Sequence, residues 1–275
     1  MNVLDVSGLT VRDGSGTALV SDLSFSVGRG ERVGLIGESG SGKSMTALAI
    51  LGLLPDGLTG TGTMQLRDSD ERATEMVGTR EAARVEARGR DVAVVFQEPL
   101  TALDPLMRLG HQLAEPLVRR ARAQGKRLRG PGLRAAVRAA LDEVSLPEPD
   151  RIARAYPHEI SGGQRQRVAI AMALACEPVL LIADEPTTAL DVTIQADILA
   201  LLDGLVATRG MSLLFISHDL AVVASICERV VVLRDGVAIE HASVADLVTA
   251  PAHPYTRDLV TSARALDDAL AQVGR

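Results

Sequence analysis

Gly37-Glu38-Ser39-Gly40-Ser41-Gly42-Lys43-Ser44 fits the pattern G-x-x-x-x-G-K-[ST]. An apolar, strand-like run (Arg32–Ile36) precedes it. A helical pattern follows from about Lys43 to Leu54, stopped by Pro55-Asp56-Gly57. Glycines let backbone N–H groups turn inward around phosphate oxygens, and the helix start adds the positive end of its dipole. Lys43 then reaches the outer phosphates, and the Ser44 hydroxyl is a ligand for Mg²⁺.

Further chemistry sits at the ends of other apolar runs. Val179–Ala183 ends in Asp184-Glu185. The first acid holds a cation through water, and the second orients or deprotonates an attacking water. Taken alone, such a pair is also a turn or a helix cap. Gln97 ends the run Asp91–Phe96, and His218 follows Ser212–Ser217. Both lie at strand carboxyl ends, where α/β sheets bind ligands. Either is equally readable as a structural residue. Ser161-Gly162-Gly163-Gln164 opens another helix. Ser161 caps it, or the helix start takes an anion; one nucleotide rarely needs two such loops, so the second serves a phosphate bound to another subunit.

The elements that position these residues alternate. After Leu180 strand and helix take turns, closing on the hairpin signal Arg234-Asp235-Gly236. This predicts a parallel sheet covered by helices. The helical stretch at roughly 98–162 interrupts it as an insertion. Within residues 116–141, Arg119, Arg120, Arg122, Lys126, Arg127, Arg129, Arg134 and Arg138 occur with no acid. The pattern reads as a solvated helix pair joined by Gly130-Pro131-Gly132, or as a contact for anionic lipid or an acidic partner.

Composition bounds the function. The 275 residues are 47% hydrophobic and 23% charged, with a net charge of −6. That is globular and weighs against a surface that grips nucleic acid throughout. Three Phe, two Tyr and no Trp leave no stacking platform for single strands. Cys176 and Cys227 match no metal spacing, and Cys176 reads as a buried free thiol of a reducing compartment. No signal-peptide pattern opens the chain, and no apolar run of about 18 residues spans a bilayer. A cytoplasmic protein is expected, or one on the cytoplasmic face of a membrane.

In this order the motifs resemble those of ATP-binding-cassette (ABC) ATPases. Gly37–Ser44 is similar to Walker A, Gln97 to the Q-loop, Ser161–Gln164 to the signature motif, Leu180–Glu185 to Walker B, Ala189-Leu190-Asp191 to the D-loop and His218 to the switch histidine. The resemblance implies an α/β fold: a RecA-like P-loop core with an N-terminal antiparallel β subdomain and an inserted helical subdomain. It places the core at 1–97 and 164–240, the helical subdomain at 98–163 and a tail at 241–275. It implies that Gly37, Glu38, Ser39, Gly40, Ser41, Gly42, Lys43, Ser44 and Met45 bind ATP. Ser161, Gly162, Gly163, Gln164 and Asp191 would act across a head-to-tail dimer. Ser44, Gln97 and Asp184 would hold Mg²⁺. Glu185 is implied as general base, with His218, Gln97 and Lys43 completing catalysis.

Gln97–Pro105, Asp184–Ala196 and the tail Pro251-Ala252-His253-Pro254-Tyr255-Thr256-Arg257 are similar to peptide/nickel importer ATPases of the D type. That implies a peripheral subunit on the cytoplasmic side of the membrane, powering uptake of di- or oligopeptides, with nickel or a metal chelate as the alternative and a soluble, non-transport ABC ATPase as the remaining one. Partners would be two transmembrane permeases, a second ATPase (a heterodimer, with a homodimer as the alternative) and, indirectly, an extracytoplasmic solute-binding protein. No nucleic acid is expected. Two features depart from the pattern. Val11-Arg12-Asp13 offers no aromatic for adenine, and no cysteine follows Cys227, so no iron–sulfur cluster is expected.

Overall fold

The computed structural model describes residues 1–88, 90–188 and 191–273, leaving aside the side chains of 192 and 265–273. Strands β1 (Asn2–Arg12), β2 (Ala18–Gly28) and β3 (Arg32–Ile36) lead to helix α1 (Lys43–Leu51). Next come β4 (Thr59–Arg67), β5 (Ala73–Glu75), α2 (Glu81–Arg88) and β6 (Val92–Val95). Four helices follow: α3 (Leu109–Ala123), α4 (Gly130–Glu143), α5 (Pro149–Arg154) and α6 (Gly162–Leu174). Then β7 (Leu180–Asp184), α7 (Val192–Arg209), β8 (Ser212–Ser217) and α8 (Leu220–Ile226) alternate. The chain closes with β9 (Arg229–Arg234), β10 (Val237–Ser243), α9 (Val244–Thr249) and α10 (Pro254–Val273). Two compact units result: residues 1–84 with the chain from Ser212 onward, and residues 85–211.

The first unit holds an antiparallel sheet in the order β2-β1-β4-β5. Leu4, Val6, Leu9 and Val11 of β1 are buried. Its other strands run β10-β9-β3-β8. Here β3 lies parallel to both β8 and β9, and β10 returns antiparallel to β9. Val33 to Ile36 are all buried, which explains why β3 reads as an unbroken apolar run rather than an alternating one. Helix α8 packs on this strand so closely that a Cβ at Gly34 would lie 2.4 Å from Val223 Cγ1.

The second unit pairs β6 with β7 in parallel. Helices α3 to α6 accompany them, with α6 burying Val168, Ala169, Ile170, Ala171 and Leu174. Several cations of the basic stretch are engaged within this unit. Arg119 donates to Val85 O, Arg120 to Ala175 O, and Arg138 to Asp150.

Three local expectations change. Helix α1 ends at Leu51, not near Leu54. Gly52 takes the left-handed conformation (φ 63°), and its N–H closes the last turn. Gly130-Pro131-Gly132 is the first turn of α4, not a linker, because proline fits where a helix has no N–H partner to lose. Cys176 lies beyond the end of α6 and is only half-buried, whereas Cys227 is buried. Burial raises both thiol pKa values, that of Cys227 to about 12, so neither is a reactive thiolate at neutral pH.

Candidate functional site: a phosphate loop and two strand-end clusters

The Gly37–Ser44 loop joins β3 to α1 in the first unit. Gly40 (φ 82°) and Gly42 (φ 97°) occupy backbone conformations that side chains resist. The loop is also tightly braced. A Cβ at Gly37 would lie 2.2 Å from Leu233 O, and one at Gly42 would lie 3.0 Å from Leu19 O. Gly236 N–H, in the β9–β10 turn, donates to Ser41 O at 3.2 Å.

Inside the loop, Lys43 is 5% exposed, and its Nζ donates to Gly37 O and Glu38 O, both at 2.8 Å. Ser41 is 4% exposed, and its hydroxyl is buried with no hydrogen-bond partner. An inward cation beside an unanswered buried hydroxyl, in a loop crowded at Gly37 and Gly42, fits an anion with several oxygens. Glu38, Ser39, Gly40 and Ser44 face solvent, and Met45 is half-buried.

His218 belongs to the same unit. The parallel register pairs Ile36 with Ser217, so Gly37 and His218 leave neighbouring strands side by side at the carboxyl edge. His218 is exposed, as a residue meeting a ligand there must be. Asp219 caps α8, accepting from Ala221 N and Val222 N.

The second unit gathers Gln97, Asp184 and Glu185. Register pairs Val95 with Ala183, so Gln97 and Glu185 each stand two residues beyond paired positions at one sheet edge. Glu185 sits in the left-handed region (φ 48°), uncommon for a residue with a side chain. Its carboxylate accepts the Thr188 hydroxyl at 3.0 Å. Within the second unit, the Gln97 amide and the Asp184 carboxylate offer oxygen donors at the ends of adjacent strands. That suits Mg²⁺, which is completed by water and substrate phosphates rather than by a protein cage. Among the described residues no group of three or more His, Cys, Asp or Glu converges on one point.

Ser161 opens α6 with a reciprocal cap. Its Oγ accepts from Gln164 N at 3.3 Å, and Gln164 Oε1 accepts from Ser161 N at 3.1 Å. Gly162 is exposed, and Gly163 is pressed on α7: a Cβ there would lie 2.8 Å from Ile194 Cγ2. Asp191 caps α7 through Ile194 N at 3.0 Å. The start of α6 and the start of α7 are therefore neighbours. Ala189 and Leu190, the rest of the expected D-loop, lie outside the described residues.

Two contacts escaped sequence reasoning, one of them made by Tyr255 of the tail Pro251–Arg257. Gln166, 1% exposed on α6, donates to Phe96 O at 3.4 Å and so ties that helix to the segment carrying Gln97. Tyr255 accepts the Glu38 N–H at 3.1 Å. A helical glutamine next to a capping motif carries no signal in sequence. Nor does a tyrosine 217 residues from its partner.

Comparison with known proteins agrees with this layout. A family model described as "ABC transporter" matches residues 20–188. "Glutathione import ATP-binding protein GsiA" of Pectobacterium atrosepticum is 45% identical over 269 residues, which cover 96% of this chain and 42% of that protein. The chain thus spans less than half the length of such relatives. "Putative peptide import ATP-binding protein BMEII0863" of Brucella melitensis biotype 1 is 45% identical over 97% of this chain and 79% of its own. Among solved structures, the "Dimeric structure of a post-hydrolysis state of the ATP-binding cassette MJ0796 bound to ADP and Pi" superposes with a TM-score of 0.74 at 27% identity. It covers 88% of this chain and 98% of that one. Motifs, strand-end geometry and these likenesses converge on one conclusion: the chain belongs to the ABC transporter family.

Proposed function

We propose that this chain is the ATP-binding and ATP-hydrolysing subunit of an importer that takes up peptides, glutathione-like or larger, across the cytoplasmic membrane. The observation that carries the nucleotide part is the braced loop with Lys43 turned inward beside the unpartnered Ser41 hydroxyl. The peptide part rests on the names of the relatives.

Lys43 exchanges the carbonyls of Gly37 and Glu38 for phosphate oxygens, and the N–H groups from Gly40 to Met45 complete the cradle. Ser44, Gln97 and Asp184 would hold Mg²⁺, which would supply charge neutralisation for the phosphates. Glu185 takes a proton from the attacking water, and His218 fixes the alignment of base and terminal phosphate. Ser161, Gly162, Gly163, Gln164 and Asp191 act on the nucleotide of a second cassette, a different chain or another copy of this one. The core at 1–97 and 164–240, the helical subdomain at 98–163 and the tail at 241–275 share this labour.

Two permeases are the proposed partners in the membrane, served outside by a solute-binding protein. Among the described residues no helix is long and apolar enough to cross a bilayer. Just after Gln97, however, Leu100 (49% exposed), Leu106 (87%) and Met107 (40%) stand in solvent. We take these apolar side chains as the place where the permeases dock.

Affinity purification of the tagged chain from detergent-solubilised native membranes tests the assembly. Two polytopic membrane proteins and a second cassette are expected, with ATP-driven uptake of a glutathione or dipeptide probe by the reconstituted complex. Recovery of ribosomal or DNA-repair proteins instead would contradict it.

A further inference from the structure

The C-terminal segment reaches the phosphate loop through one side chain. The Glu240 carboxylate accepts from Ala252 N at 2.8 Å and His253 N at 3.0 Å, and Tyr255 N–H donates to His253 Nδ1 at 3.1 Å. These bonds set the turn ahead of α10 and deliver the Tyr255 ring, 6% exposed, beneath the Arg234 guanidinium at 5.1 Å. At the far end of the ring the hydroxyl oxygen accepts the Glu38 N–H at 3.1 Å.

Glu38 is thereby held from two sides, its carbonyl by Lys43 and its N–H by Tyr255. The two ties differ in permanence. A lysine that turns to a phosphate releases its carbonyls. The tyrosine is seated in the fold away from the phosphates, and burial pushes its phenol above the ordinary pKa, so it stays a neutral hydroxyl. Arg234 also leads into the β9–β10 turn, whose Gly236 N–H holds Ser41 O at 3.2 Å. Seat and loop are one assembly.

We propose that Tyr255 is a positioning residue of the nucleotide site: its hydroxyl anchors Glu38 N–H and keeps residues 37–42 in the phosphate-receiving shape when Lys43 leaves the loop carbonyls. The segment 252–255 then supports the loop from outside the phosphate cradle. This rests on the reading of Gly37–Ser44 as a nucleotide loop.

The test compares the full chain with its Tyr255→Phe and Lys43→Ala variants. Mg-ATP affinity is measured by calorimetry, phosphate release at saturating ATP, and amide exchange at Glu38. Phenylalanine keeps the ring under Arg234 and removes only the oxygen. Affinity is expected to fall about fivefold, the worth of one neutral hydrogen bond, with the saturated rate within about twofold of the parent. Glu38 N–H is expected to exchange faster. Unchanged affinity and exchange, or a lost rate with unchanged affinity, would overturn the proposal. If Tyr255→Phe does not fold, Arg234→Met decides: it removes the guanidinium that covers the ring, so affinity must fall and Glu38 N–H must exchange faster, as for Tyr255→Phe. Lys43→Ala separates the two readings. Loss of ATP binding there, with Tyr255→Phe unaffected, defeats only the role of Tyr255. ATP binding retained by Lys43→Ala defeats the nucleotide loop itself.

Discussion

Gly42 shows how one residue commits the loop. Its φ of 97° strains any side chain, and Leu19 O and Val20 Cγ2, each 3.0 Å from a would-be Cβ, would have to shift for alanine. Gly42→Ala is expected to cost about 1–3 kcal/mol of stability. ATP binding is expected to weaken more than the lost stability accounts for, because the N–H groups turn away. Thermal melts with and without Mg-ATP check both. Ligand-induced stabilisation as large as the parent's would contradict the role of the loop. At this scale the sequence was most informative. The requirements of a phosphate cradle are local, and eight adjacent residues satisfy them. Ser41 was legible as part of the motif, but its unanswered hydroxyl depends on what packs around it.

Single elements carry both a structural and a functional load, and substitution can separate them. Ser161→Ala removes the cap of α6 and is expected to cost about 1 kcal/mol. Ser161→Asp keeps a good capping oxygen but adds a negative charge where a partner's phosphate would sit. Stability close to the parent with hydrolysis lost is the expected pairing, read from melts and phosphate release; unimpaired hydrolysis in Ser161→Asp would leave Ser161 as a cap alone. A second case ties the turn before β3 to the start of β9. The Glu31 carboxylate accepts from Gly28 N at 2.6 Å and from Arg229 Nε at 2.8 Å. Partial burial raises its pKa, but the Arg229 and Gly28 hydrogen bonds outweigh that and hold it below the ordinary value. A folded pKa below the unfolded one gives stability that is present above the unfolded value and lost as pH falls through the folded value. Glu31→Gln is therefore expected to lower Tm at pH 7, with the difference from the parent vanishing in acid below the usual carboxylate range. Elements were legible where period and punctuation agreed, as in β3 and the β9–β10 hairpin. They were misread where a glycine had two meanings. Gly52 stopped α1 before the proline signal at Pro55, and Gly130 began a helix instead of joining two.

At the scale of the whole molecule, the proposed labour divides between what holds the nucleotide and what meets the membrane partners. Leu106→Ser tests that division. At 87% exposure the side chain contributes little to folding, so Tm and ATP binding are expected to be unchanged. Recovery of permeases in pull-downs is expected to fall; full recovery would place docking elsewhere. Alternation of strand and helix predicted the parallel strands, and the motif order predicted the family. Contacts that join distant chain segments were out of reach. Tyr255 on Glu38 and Gln166 on Phe96 depend on folding that no local pattern encodes.

The most direct measurement follows Mg-ATP binding and phosphate release in one titration of the full chain, beside its Lys43→Ala and Glu185→Gln variants. The account predicts that the parent binds and hydrolyses, that Lys43→Ala does neither, and that Glu185→Gln binds as the parent does but turns over at least about 100-fold more slowly. Undiminished hydrolysis by Glu185→Gln would contradict its role as the base. Undiminished binding by Lys43→Ala would contradict the site.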